Sequence, residues 1–312
     1  MPRSSTSDRL SPAETITHAI IERLEAGTRP WVRPWTGGAV SRPLRSCGTP
    51  YRGINVLWLW MAAEASGFSS PFWLTYAQAQ LQGGQVRRGE RGTIAVFYKS
   101  YSKTVEDRDT GEAHDEARRV LKSFVVFNAS QIDGLPERYA PPPPTALPPA
   151  DARDAALDAF FAAVPARLRH GGDEAFYTPS TDQITMPAMA AFRGRDHYRA
   201  TLAHELAHWT GHESRLARSL AGRFGSDAYA MEELIAELAA AMTGSELGLP
   251  TEHLDNHASY LASWLRVLKA DNRAILSAAA KAEEASAFLL GFGAREGARS
   301  GNGQMSDLRE AA

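Results

Sequence analysis

Cysteine is nearly absent: Cys47 is the only one in 312 residues. That excludes an internal disulfide and any zinc site built from several thiolates, and it suits a reducing cytoplasm. Long apolar runs are missing as well. The longest, Val56 to Ala63, is far too short to cross a bilayer, so no membrane partner is expected. The polar N-terminus lacks the apolar stretch of a secretion signal. Nor does one sign of charge dominate, since 34 basic and 36 acidic side chains leave a net charge of −2.

That balance hides an asymmetry. Residues 1–140 carry 18 basic and 14 acidic side chains (+4), whereas residues 141–312 carry 16 and 22 (−6). Six of the acids in the first part lie between Glu106 and Glu116, so the rest of it is more basic than +4. Between the parts runs Pro141-Pro-Pro-Pro-Thr-Ala-Leu-Pro-Pro149, a sequence that favours an extended, semi-rigid spacer. Length and this break predict two domains, 1–140 and 151–312, joined by a linker at 141–150.

The second part contains His204-Glu205-Leu206-Ala207-His208. Two histidines four residues apart share one face of a helix, where their imidazoles can hold one zinc ion. Glu205 then stands beside the open coordination position as a general base for water. Helical spacing of Tyr198, Leu202, Leu206 and Trp209 supplies an apolar stripe roughly opposite the histidines, and Asp196 and Gly211 suit the two ends. Position 214 is Ser, so a third histidine at metzincin spacing is absent. Farther on, Glu233 and Glu237 stand four apart on a second predicted helix, Tyr229 to Leu247, with small Ala236, Ala240 and Gly244 nearby. This resembles the gluzincin pattern, which implies Glu233 as third ligand and Glu237 as the acid that orients a ligand histidine. Glu232 and His212 stand as alternatives. Tyr229, one turn before Glu233, is a candidate to stabilise an oxyanion.

In the first part, cations alternate with aromatics, a pattern suited to single-stranded nucleic acid: cations follow phosphates while aromatic faces stack on unpaired bases. The candidates are Arg29, Trp31, Arg33, Trp35, Tyr51, Arg52, Trp73, Arg87, Arg88 and Lys99. Periodicity predicts helices over Pro12 to Ala26, around Leu57 to Met61, and over Thr75 to Gln82. Strands are expected over Thr93 to Lys99 and Val120 to Asn128, with the polar stretch Glu106 to Arg119 as loop or hairpin tip. In the second part a helix is expected over Asp151 to Ala163, a short hairpin or edge strand over Phe176 to Met186, and later helices over Thr251 to Lys269 and Asp271 to Leu290. The Gly-rich residues from Gly291 are expected to fray.

Gly27-Thr-Arg-Pro-Trp31, Tyr51-Arg-Gly-Ile-Asn55, Val86-Arg-Arg-Gly-Glu-Arg-Gly92 and Val126 to Leu135 together resemble the ArdC-type antirestriction proteins of conjugative plasmids. So do His204 to His208, Glu232 to Glu237 and Ser259-Tyr-Leu-Ala-Ser-Trp-Leu-Arg-Val-Leu268. The resemblance implies an α+β protein of two domains. The first is an α/β single-stranded-DNA-binding domain shared with TraC-type primases. The second is a mostly helical zincin-like metallopeptidase domain. It also implies protection of incoming plasmid DNA from host restriction. On this reading one Zn2+, or another divalent metal, sits on His204, His208 and Glu233. The partners are single-stranded DNA and a protein substrate the sequence does not name. The alternative is a non-catalytic DNA-binding protein whose zinc site is structural or unused. A metal-dependent nuclease fits less well, because such sites are usually richer in carboxylates or carry two metals.

Overall fold

The computed structural model describes residues 10–31, 42–106, 113–141, 150–218, 225–249 and 258–307. It divides into two compact units, one of residues 1–12, 43–51 and 58–141, the other of residues 13–42, 52–57 and 142–312. The break after residue 141 falls at the expected boundary, but residues 13–42 and 52–57 join the second unit, so the N-terminal helix α1 (Pro12–Glu25) is built into it. Ile16, Ile20 and Leu24 make its buried face. The Thr17 hydroxyl donates to the Asn272 carbonyl at 2.7 Å, and Lys269 pairs with Glu25 at 2.6 Å. Gly27, at φ 74°, ends the helix in the left-handed conformation that glycine adopts without strain.

The first unit is organised on a sheet of order β1-β2-β5-β4. Short β1 (Leu44–Arg45) runs parallel to β2 (Phe72–Leu74), and β2 is antiparallel to β5 (Ala113–Asn128). β5 forms a long hairpin with β4 (Thr93–Glu106), with Thr93 opposite Val126 and Glu106 opposite Ala113. The strands therefore extend well past the expected limits, into the polar stretch expected as loop or hairpin tip. Backbone pairing needs no apolar side chains, and the register runs unbroken to Glu106 opposite Ala113. Helix α2 (Ile54–Ser66) brings Leu59 against Tyr51, Trp73, Ala95 and Val126. A second cluster joins Leu74, Val86, Ile132 and Tyr139 with Ala79 of α3 (Tyr76–Leu81). A reciprocal cap starts α3: Thr75 Oγ1 accepts from the Gln78 amide at 3.2 Å, and Gln78 Oε1 from the Thr75 amide at 2.9 Å. Beside it β3 (Gln85–Val86) pairs with β6 (Ile132–Asp133).

In the second unit, α4 (Ala150–Ala163) precedes a small sheet of order β7-β9-β8. Its strands are β7 (Arg167–His170), β8 (Phe176–Thr178) and β9 (Gln183–Met186); β8 pairs antiparallel with β9 and forms one edge. The hairpin expected over Phe176 to Met186 is thus present. Four helices follow: α5 (Arg195–Thr210), α6 (Asp227–Leu247), α7 (Ala258–Ala270) and α8 (Ala274–Asp307). On α5, Tyr198, Leu202, Leu206 and Trp209 pack with Ile184, Met186 and Leu289, so the predicted stripe is the core-facing side.

The ends of the helices differ from expectation in instructive ways. Gly194, not Asp196, is the N-cap of α5; Asp196 sits in the first turn, where a carboxylate favours the helix dipole, and pairs with Arg153. Ser226 caps α6 by accepting from the Tyr229 amide at 3.2 Å, and Gly248, at φ 64°, closes it. The first residues expected in α7, from Thr251, lie outside the described residues. α8 continues past Leu290 to Asp307: no proline follows Pro250, and Ala294 to Arg299 offers good helix formers between the glycines. Among the described residues, no helix is long and apolar enough to cross a membrane.

Two buried arginines brace this unit. Arg199 of α5 is 1% exposed and pairs with Asp154 and Asp158 of α4, at 2.7 Å for Asp158. Arg42 pairs with Glu283 at 2.7 Å and Glu246 at 2.8 Å. Buried guanidinium groups persist only when paired in this way.

Candidate metal centre

Helices α5 and α6 meet through small residues. Ala200, Ala203 and Ala207 on one and Ala236, Ala239 and Ala240 on the other are all buried. Close approach follows, and it brings side chains from both helices to one point. His204 Nε2 and His208 Nε2 lie 3.2 Å apart. Glu233 of α6 spans them, with Oε2 3.7 Å from His204 Nε2 and Oε1 3.6 Å from His208 Nε2.

This triangle can be checked against coordination chemistry. With bonds of about 2.0–2.2 Å, the donors of a tetrahedral zinc stand about 3.3–3.6 Å apart. The two imidazole nitrogens are 3.2 Å apart and each has one Glu233 oxygen at 3.6–3.7 Å, close to that spacing, and with one donor atom from each residue the three lie within 4.8 Å of one another as a potential ion-binding group. The electrostatics agree. Around the triangle stand four carboxylates, Glu205, Glu232, Glu233 and Glu237, and two guanidiniums, Arg29 and Arg218. With the acids ionised and the imidazoles neutral, the surplus is two negative charges, which a divalent cation neutralises. Burial pushes the His204 pKa down, but Glu233, Glu205 and Glu237 outweigh it and raise it to about 9. Burial likewise opposes ionisation of Glu233, yet the two imidazoles and the Tyr229 hydroxyl hold its pKa at about 2.

Each histidine is backed at its other nitrogen by a carboxylate. Glu237 Oε2 lies 3.7 Å from His204 Nδ1, in the orienting position implied by the gluzincin resemblance. Glu232 Oε1 lies 3.3 Å from His208 Nδ1 and is gripped by Arg218 at 2.8 Å and 3.1 Å. Glu232, an alternative ligand from the sequence, thus serves His208 from behind. His212 also lies off the triangle, in the turn after α5, where its Nδ1 is 2.8 Å from Ser214 Oγ.

Glu205 is buried, and that burial raises its pKa. The backbone N–H of Tyr177, on edge strand β8, donates to its carboxylate. Tyr229 touches Glu233 through its hydroxyl, which is also 3.2 Å from the hydroxyl of Tyr260. Burial and these neighbours push the Tyr229 pKa far up, so it stays a neutral donor. Tyr260 had escaped the sequence reading. Its one signal was its place inside the Ser259 to Leu268 stretch, on the helix that packs over α6.

The residues expected to contact DNA separate into groups. Trp31, Tyr51 and Trp73 are buried, so their faces cannot stack on bases. An alternating cation–aromatic pattern does not distinguish a surface ring from a core ring, and tryptophan packs readily into a core. Arg29 is bound to Glu237 at 2.9 Å. Arg33 and Trp35 lie outside the described residues, and Lys99 is placed only as a β4 residue opposite Val120. Arg52, Arg87 and Arg88 are exposed, although Arg87 is already engaged by Glu90 at 2.7 Å. Phe97 and Tyr98, which the candidate set omitted, are exposed by 45% and 55%.

Residues 155–281 match the family model of a zincin-like metallopeptidase, and residues 11–127 match that of the N-terminal domain of the anti-restriction factor ArdC. The chain is 41% identical over 305 residues to protein y4eC of Sinorhizobium fredii, covering 96% of this chain and 95% of that one. It is also 41% identical over 302 residues to DNA primase TraC of Escherichia coli, covering 89% of this chain but only 27% of the primase. Two crystal structures of ArdC from plasmid R388 are similar, each at 43% identity and 99% coverage of that protein. The metal-free form gives a TM-score of 0.77 over 92% of this chain, and the Mn(II)-bound form 0.74 over 91%. With both domain models in place and near full-length likeness to a solved member, this chain belongs to the ArdC family of antirestriction proteins.

Proposed function

We propose that the protein is a divalent-metal-dependent peptidase that also binds single-stranded DNA and protects incoming plasmid DNA from host restriction. The observation that carries the peptidase reading is the convergence of His204, His208 and Glu233, with the imidazole nitrogens 3.2 Å apart and a Glu233 oxygen 3.6–3.7 Å from each, beside the buried carboxylate of Glu205. Two imidazoles and one carboxylate with a position left open favour zinc, and the Mn(II)-bound form of R388 ArdC supports a divalent ion at such a centre. When bound, the ion supplies Lewis acidity for water and for a substrate carbonyl. Glu205 accepts the proton of the attacking water and returns it to the departing amine. Burial raises its pKa, which makes it a stronger base toward that proton than a solvated carboxylate. Among the described residues β8 is an edge strand of its sheet, beside Glu205, which supports the addition of an extended peptide there by backbone hydrogen bonds. Tyr229 and Tyr260, whose hydroxyls lie 3.2 Å apart beside Glu233, are the donors this reading assigns to the oxyanion.

For DNA, the first unit offers a shallow groove of about 630 Å³, lined by Tyr76, Gln85, Arg87, Arg88 and Phe127 among others. Tyr76, Phe97 and Tyr98 are exposed aromatics there and on the β4–β5 hairpin, suited to stacking. The discriminating experiment is Glu205→Gln. On the peptidase reading the variant retains metal and DNA binding but loses peptide hydrolysis and protection against restriction. Full protection by the variant would leave a DNA-binding protein with an unused metal site.

A further inference from the structure

The carboxylate Glu237 is 1% exposed, one turn beyond Glu233 on α6. A buried carboxylate requires compensation. Here the compensation comes from far away in the chain. Arg29 Nη1 donates to Glu237 Oε1 at 2.9 Å, and Trp31 Nε1 donates to the same oxygen at 3.1 Å. The other oxygen is the one that faces His204 Nδ1, at 3.7 Å. Trp31 is itself held: it is 2% exposed and meets Trp264 edge to face, with centroids 5.6 Å apart. Trp264 stacks on Tyr260, and Tyr260 stacks on Tyr229 beside Glu233.

We infer that Arg29 and Trp31 are positioning residues of the metal centre: they hold the Glu237 carboxylate by one oxygen and aim the other at His204 Nδ1, which leaves Nε2 turned to the ion. The inference rests on the reading that this centre binds a divalent cation. An anionic acceptor at Nδ1 fixes the ring orientation and raises the basicity of the ligand nitrogen. The two histidines are then served by parallel relays. His208 has Glu232 and Arg218, both within the metallopeptidase sequence. His204 has Glu237 and the Arg29–Trp31 segment, which arrives from more than 200 residues earlier in the chain. It follows that residues 155–281, matched by the metallopeptidase model, are incomplete as a metal centre, and that the Gly27 to Trp31 stretch of the ArdC N-terminal model completes it.

The test uses the full chain, stripped of metal and titrated with Zn(II) against a chelator of known affinity. Wild type is measured beside Arg29→Gln, Arg29→Lys, Trp31→Phe and Arg42→Gln. Loss of a partner behind a metal-ligating histidine typically weakens binding about 10–100-fold. Arg29→Gln is expected in that range, Trp31→Phe toward its lower end, and Arg29→Lys near wild type, because it restores the charge. Arg42→Gln breaks a buried ion pair of the same unit whose partners are Glu283 and Glu246. It is expected to lower the melting temperature while leaving zinc affinity unchanged. Should Arg29→Gln fail to fold, Trp31→Phe and Arg29→Lys decide the matter by the same measurement. Wild-type affinity in Trp31→Phe together with Arg29→Gln, or an equal loss in Arg42→Gln, overturns the inference. Absence of zinc binding in wild type overturns instead the reading on which it rests.

Discussion

Replacing Arg218 by Met tests how much the centre depends on its outer charges. The guanidinium grips Glu232 twice, at 2.8 Å and 3.1 Å, and also donates to the Ala207 carbonyl at 2.7 Å and the Thr210 hydroxyl at 2.8 Å. Both partners of the ion pair are buried, with side-chain exposures of 5% and 9%. Removing one partner of such a pair costs about 3–5 kcal/mol, chiefly because the other charge is left uncompensated. The lost bonds at the end of α5 add about 1 kcal/mol each. Together these are about 5–7 kcal/mol, and at about 2–4 °C per kcal/mol for a unit of this size the metal-free protein should melt roughly 10–28 °C lower. The assay is thermal unfolding, combined with a double-mutant cycle on Glu232→Gln. Because Glu232→Gln removes the stranded charge, the double variant should be more stable than the two single losses added together, by about 1–3 kcal/mol. Additive losses, or a shift below about 2 °C for Arg218→Met, would refute the claim that Arg218 works through Glu232.

Other consequences are simpler to check. Tyr260→Phe deletes the hydroxyl 3.2 Å from that of Tyr229, and should reduce turnover about 10–100-fold in a peptide assay with zinc affinity unchanged. Arg215 holds the Asp182 pKa below its ordinary value, so this pair stabilises the fold fully above the unfolded carboxylate pKa of about 3.9 and loses that effect as pH falls through the depressed one. Asp182→Asn should therefore unfold with a weaker acid dependence below about pH 4, read from melting temperature against pH. Arg88→Ala should lower the slope of log affinity for single-stranded DNA against log salt by about 0.7. Trp73→Ala, by contrast, should unfold the first unit by about 3–5 kcal/mol, because the ring is core.

How much was legible in the sequence depended on the range of the signal. The spacing of His204 and His208, the stripe from Tyr198 to Trp209 and the run of small residues on α6 are local patterns, and each has the place in the fold that its period implied. Glu237 behind His204 required one further assumption, that α6 packs on α5 in register. The partners of Glu237 lay beyond reach: nothing in Arg29-Pro-Trp31 states that its charge and indole N–H are directed at a carboxylate more than 200 positions away. The same stretch read as a DNA surface because exposed and buried tryptophans share one composition. For the polar stretch the hairpin tip was legible but the length of β4 and β5 was not, since cross-strand backbone bonding leaves no hydrophobic alternation to detect. Asp196 and Gly194 competed for the cap of α5, and the carboxylate was instead drawn to Arg153 and Arg199.

The central claim is that His204, His208 and Glu233 hold one divalent ion beside Glu205. The most direct measurement is metal content and Zn(II) titration of wild type, Glu233→Ala and Glu205→Gln, each purified without chelator. The account predicts one ion per chain in wild type and Glu205→Gln, and its loss in Glu233→Ala. No ion in wild type, or full retention by Glu233→Ala, would contradict it.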